Sequence, residues 1–289
     1  MIPRDQDGAA VYPADDDLFD GWADAGADPT KPNIARVYDY WLGGRHNLVA
    51  DRELAEAMAT LDPWIPAACK ANRAFLGRVV RSLAERGIRQ FLDIGSGIPT
   101  AGNVHEVAQA AAPGARVVYA DRDPVAVAMG RTLLDGNDRA GVVQADIRDL
   151  DAILGGPAVG RLIDFGKPVA IMLVAILHFV LDADEPYRLV QRLRDTAAPG
   201  SYLVLSHATS QGNEALTAAA EHVYNSRAAD GQARSREQIA RFFGDWNLAD
   251  PGLVYAPQWQ PSSPGDVPDH PERYWFLAGV ARKVAPPRW

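Results

Sequence analysis

From Gly87 onward the chain alternates short apolar runs with longer helical patterns, and no other feature restricts its fold as much. The runs are Gln90–Ile94 (QFLDI) and residues 116–120 (RVVYA), 142–145 (VVQA), 169–174 (VAIMLV) and 202–206 (YLVLS). Helical stretches lie between them at 102–111, 125–134 and 187–196. Alternation of this kind predicts an α/β fold, a mostly parallel sheet with helices on both faces. The longest apolar stretch, residues 169–177, suits a central strand buried on both sides. It is far too short for a membrane-spanning helix, which needs about 20 residues.

Three helical patterns precede the alternation. Ile34, Val37, Tyr38 and Trp41 recur at helical spacing and stop at Gly43-Gly44. Leu54, Ala57, Met58 and Leu61 repeat the spacing before Pro63, and Phe75, Leu76, Val79, Val80 and Leu83 form a third face ending at Gly87. Residues 31–87 are therefore expected to form a helical N-terminal cap, and 88–289 the sheet domain. Residues 1–30 hold eight aspartates and one basic residue and are expected to be an acidic, poorly ordered leader. Near the other end, Ser235 and Gln238 have the spacing of a capping box. Residues 253–256 and 274–281 are expected to be two closing strands, antiparallel if the Pro/Ser/Gly loop 261–271 joins them as a hairpin.

Charge bounds the partners. A net charge of −8 with a pI near 5.2 argues against a nucleic-acid footprint or an anionic membrane surface. The N-terminus has no apolar signal core, so a cytoplasmic location is expected. The single cysteine, Cys69, excludes an intrachain disulfide framework and is expected to be apolar filler. No His/Glu motif predicts a metal site.

The chemistry concentrates at strand ends. Asp93-Ile94-Gly95-Ser96-Gly97 places an acid before a Gly-x-Gly turn that lets a ligand lie against bare backbone. A dinucleotide fingerprint would place its third glycine at 100, but the next one is Gly102. A carboxylate at Asp93 would repel a phosphate and suit a cationic ligand, which favours S-adenosylmethionine (SAM) over NAD. Asp121, with Arg122 beside it, ends the second strand, where an acid can take both ribose hydroxyls. Asp123 is its understudy or a helix cap. Asp146 and Ile147 follow the third strand and suit an adenine amine and ring face. Ser96 and Val174, at the ends of the first and central strands, complete the candidate cofactor set with Arg73, whose guanidinium could clamp a cofactor carboxylate. His178 and His207 are candidate general bases. Tyr38, Tyr40 and Trp41 are candidates for a lid over the acceptor.

These words resemble the class I SAM-dependent methyltransferases, and more specifically a bacterial family known simply as the S-adenosyl methyltransferases. The specific words are Pro32-Asn33-Ile34-Ala35-Arg36-Val37-Tyr38-Asp39-Tyr40-Trp41-Leu42-Gly43-Gly44, Ala71-Asn72-Arg73-Ala74-Phe75-Leu76, Val174-Ala175-Ile176-Leu177-His178-Phe179-Val180 and Arg234-Ser235-Arg236. The resemblance implies a Rossmann-like sheet of seven strands with an antiparallel last hairpin, and SAM binding through Asp93, Gly95, Gly97, Asp121, Asp146 and Ile147. It implies S-adenosylhomocysteine as product and leaves the acceptor open, a small molecule being expected. A non-catalytic SAM sensor is the alternative, and an NAD-linked oxidoreductase a more distant one.

Overall fold

The computed structural model describes Trp22 and residues 27–100, 102–212 and 214–285. Most of the expected leader lies outside these residues. Trp22 itself is buried and packs on Leu48 and Val125.

The cap consists of α1 (Ile34–Leu42), α2 (Val49–Leu61) and α3 (Ile65–Glu85). Asn33 caps α1 by accepting from the Ala35 and Arg36 amides at 2.8 and 3.2 Å. The helix stops where Gly43 turns left-handed at φ 84°. Gly44 must also be glycine, because a Cβ there would lie 2.0 Å from Asp39 Oδ1. A buried ion pair joins α1 to α2: Arg36 Nε donates to Asp51 Oδ2 at 2.7 Å. The other end of Asn33 reaches the sheet domain, its Nδ2 donating to Asp123 Oδ2.

After the cap come β1 (Gln90–Ile94), α4 (Val104–Ala111), β2 (Arg116–Asp121), α5 (Pro124–Leu133) and β3 (Ala140–Gln144). Two short helices follow, α6 (Leu150–Leu154) and α7 (Pro157–Leu162), then β4 (Ala170–Val174), α8 (Pro186–Thr196) and β5 (Tyr202–Ala208). The chain ends with α9 (Glu214–Arg227), α10 (Arg236–Ala240), β6 (Asn247–Leu248), β7 (Val254–Tyr255) and β8 (Phe276–Arg282). Spatial order is β3-β2-β1-β4-β5-β8-β6, with β7 also paired to β8. The first five strands are parallel, and β8 runs antiparallel to β5, β6 and β7. The sheet thus has eight strands where seven were expected. The additional one is the two-residue β6, too short to leave a pattern.

Alternate residues of each strand feed opposite faces. Phe91, Val117, Met172 and Val204 pack toward α3 on one face, and Leu92, Val118, Ile171 and Leu203 build the core on the other. Residues 170–173 of β4 are fully buried, which is why its sequence shows no polar alternation. The capping box opens α10: the Ser235 amide donates to Gln238 Oε1 at 2.8 Å, and the Gln238 amide donates to Ser235 Oγ at 3.3 Å. Among the described residues, no helix is long and apolar enough to cross a membrane.

Candidate active site

Strand order reverses between β1 and β4, and open α/β sheets bind ligands in the crevice at such a switch point. A cavity opens there and runs out to solvent at its mouth. Asp93, Ser96, Asp121, Arg122, Asp146, Ile147, Val174 and Arg73 all border it, with Gly95 and Gly97. The three acids foreseen at successive strand ends do converge.

Gly95 adopts φ 75°, and a Cβ there would lie 2.5 Å from Ile176 Cγ1, so this turn tolerates no side chain. Its amide donates to the Ala120 carbonyl at 2.7 Å, tying the turn to β2. The Gly97 and Asp123 amides donate to Asp121 Oδ2 and Oδ1 at 2.7 and 2.9 Å. A carboxylate has about four acceptor sites, so Asp121 keeps two for a ligand. Asp123 is the helix cap rather than the understudy: its Oδ1 accepts from the Val125 and Ala126 amides at 2.8 and 3.0 Å. Asp146 accepts the Arg148 amide at 3.0 Å, Arg148 Nη1 at 3.1 Å and Arg122 Nη1 at 3.4 Å, leaving one site.

Burial dominates the electrostatics. It pushes the Asp93 carboxyl up to about 7, with Arg73 opposing and Asp121 reinforcing the shift. Asp121 is raised as well, again chiefly by burial. Arg73 Nη2 donates to Asn103 Oδ1 at 3.2 Å, while its Nε is buried with no partner. An unpartnered guanidinium N–H beside this cavity is a donor available to an anionic ligand.

The two histidines differ. His178 borders the cavity, has a buried Nδ1 without a partner, and is held neutral, its pKa driven down to about 3 by burial and then by Arg234. His207 does not border the cavity and is fully buried. Its Nε2 lies 2.9 Å from Arg234 Nη1, which can only donate, so Nε2 accepts. Its Nδ1 then carries the proton and donates to the Ala208 carbonyl at 2.6 Å. With both nitrogens committed, His207 is a structural residue and not an available base.

The lid candidates also separate. Tyr38 and Trp41 border the cavity. Tyr40 does not: its hydroxyl donates to Glu56 Oε1 at 3.0 Å on the outer side of α2. Sequence reasoning missed α9, whose Thr217, Ala220, Glu221 and Tyr224 supply a whole wall. The apolar residues of α9 are spread around the helix, so only its helix-forming composition could have found it. Trp275 was missed too. Its Nε1 donates to Asp62 Oδ2 at 2.6 Å, linking the entry to β8 with the end of α2.

A mixed sheet with this strand order, a glycine turn and acids on three strand ends defines a class I SAM-dependent methyltransferase. The family model described as S-adenosyl methyltransferase matches residues 20–284, and the chain belongs to that family. A crystal structure from Thermobifida fusca YX, provisionally assigned as a methyltransferase, is 43% identical with a TM-score of 0.86, over 91% of this chain and 99% of that one. A DUF574 family protein from Streptomyces avermitilis MA-4680 is 37% identical with a TM-score of 0.85, over 89% and 99%. An O-methyltransferase family protein from Burkholderia thailandensis, 14% identical with a TM-score of 0.50 over 94% and 70%, shares the fold alone. No curated protein matches the chain. SAM is the cofactor, and the sensor and nicotinamide alternatives give way to a methyltransferase.

Proposed function

We propose that this enzyme methylates a small molecule held between the helical cap, α9 and the ends of β1 and β4. The supporting observation is the lining of the cavity: one chamber is bordered both by the strand-end acids and Arg73, which suit the cofactor, and by the aromatic residues Tyr38, Trp41 and Tyr224, which suit an acceptor. The residues present fit SAM. Asp121 has two free acceptor sites for the ribose hydroxyls, Asp146 has one for the adenine amine, and Ile147 offers an apolar face. The Arg73 Nε suits the carboxylate, and Asp93 the ammonium.

The cofactor supplies an electrophilic methyl group on a sulfonium. The protein's part is to align the acceptor with that methyl and exclude water; alignment of this kind is worth roughly 7–11 kcal/mol. Tyr38, Trp41 and Tyr224 close the apolar side of the chamber. His178 is neutral and accepts a hydrogen bond from the acceptor rather than storing its proton, because an imidazole with a pKa near 3 is a weak base.

Two binding measurements test the cofactor assignments without knowledge of the acceptor. Asp121→Ala should weaken S-adenosylhomocysteine in calorimetry by roughly 1.5–3 kcal/mol, the value of hydrogen bonds to a charged group. Unchanged affinity would remove the ribose role. The second measurement is pH-dependent. In the free site Asp93 holds its proton below about 7, whereas an ammonium partner requires the ionised form. Affinity should therefore rise with pH by up to about tenfold per unit between 5.5 and 7, then level off. The binding heat should reveal proton release when buffers of different ionisation enthalpy are compared. Asp93→Asn should flatten the profile; a flat wild-type profile would place the ammonium elsewhere.

A further inference from the structure

We infer that Asn72 selects the methyl acceptor, and that the acceptor is a largely apolar, ring-sized molecule carrying a hydroxyl or N–H donor. This rests on the reading above that the cavity holds the acceptor beside the cofactor.

Asn72 lies midway along α3 and is 1% exposed. Its amide is oriented with Nδ2 toward the Tyr38 hydroxyl. The Tyr38 hydroxyl has a single proton, which it donates to the Cys69 carbonyl at 3.0 Å. At its 3.0 Å contact with Asn72, Tyr38 accepts from Nδ2. Asn72 Oδ1 lies on the opposite limb of the amide, buried and without any partner. An acceptor left this way is costly unless a ligand supplies a donor.

Its neighbours set it apart from the residues assigned to the charged end of the cofactor, and the apolar surround suits the acceptor. Arg73, Asp93, Ser96 and Gly97 border both the main cavity and a narrow cleft beneath the glycine turn. Asn72 and Tyr38 border only the main cavity, where Met58, Tyr224, Trp275 and Phe276 provide an apolar surround. A ring fills such a chamber by burying apolar area, and one hydroxyl or N–H satisfies Oδ1. A molecule of the same shape bearing only an acceptor sets two lone pairs against each other. Sites built around a ligand's donor reject analogues that lack it far more strongly than apolar pockets reject shape differences.

The experiment uses the full chain saturated with S-adenosylhomocysteine and two ring probes, phenol and anisole, the second lacking the donor and carrying one more methyl, with Asn72→Leu as the control for size. Wild type should bind phenol at least about tenfold more tightly than anisole. Asn72→Leu, of similar volume, should bring the ratio close to one. Tyr38→Phe frees the amide to turn its NH2 inward, and the ratio should fall between the two. Equal binding of the probes by wild type, no binding of phenol, or a preference retained in Asn72→Leu would overturn the assignment. S-adenosylhomocysteine is titrated into each protein first and should bind all three alike. Failure to bind wild type would defeat the underlying reading of the cavity. Normal cofactor binding without probe discrimination defeats only the role of Asn72.

Discussion

Asp51→Ala should lower unfolding stability by about 3–5 kcal/mol, because it strands the Arg36 charge in a sealed interface. Asp51 is fully buried and Arg36 is 3% exposed. The carboxylate also holds the backbone on both sides, accepting the Asn33 amide at Oδ1 and the Leu48 amide at Oδ2, each at 2.7 Å. Its loss therefore removes an ion pair and two anchors of the loops that position α1. Asn33 in turn ties α1 to Asp123, next to the ribose candidate Asp121, so cofactor affinity should fall along with stability. Urea unfolding measures the first effect and calorimetry the second. The double variant Asp51→Ala/Arg36→Met should recover part of the loss, since it leaves no unpaired buried charge. A double variant as unstable as the sum of the two single changes would show that desolvated charge is not the cause.

The elements best read from sequence are those in which one local signal decides the outcome. β1 matches its expected bounds, because QFLDI is followed by a glycine turn that no side chain can occupy. Capping at Asp123 and Ser235 was legible for the same reason, as each cap satisfies amides two or three residues away. The strand ends converge because parallel strands joined by right-handed crossovers place all their carboxyl ends on one edge. That rule brought Asp93, Asp121 and Asp146 together before any contact was known.

The readings that failed depended on distant partners. Nothing local to residue 207 indicates that Arg234, 27 positions later, occupies its Nε2. Helical periodicity puts Tyr38 and Trp41 on the inner face and leaves Tyr40 to turn outward, so grouping all three by proximity in sequence was the error. α9 packs on α2 across a gap of more than 150 residues, and its modest amphipathicity gave no reason to place it over the site. β6 is set by its pairing with β8 alone.

Arg234→Met should destabilise the protein by at least about 2 kcal/mol, although the substitution nearly conserves volume. The guanidinium has no exposed surface, and it donates to the Leu177 and Val180 carbonyls at 2.9 and 2.8 Å as well as to His207 Nε2. Methionine would orphan the Val180 carbonyl and His207 Nε2, each worth about 1–3 kcal/mol, while the Leu177 carbonyl would keep only the Val180 amide at 3.2 Å. The charge partner, Asp182, is 55% exposed, so stranding it costs little, and the loss must come from the acceptors. Arg234→Lys separates the two causes. Lysine keeps the charge but cannot span both carbonyls and the imidazole as a planar fork, so it should be nearly as destabilising as methionine. Lysine restoring wild-type stability in urea would show that charge suffices. The same clamp fixes Leu177 and Val180 on either side of His178, and so holds that imidazole at the cavity wall. Both variants should therefore bind phenol more weakly while retaining more of their affinity for S-adenosylhomocysteine. An equal loss of both ligands would mean that the segment supports the whole site rather than its acceptor side.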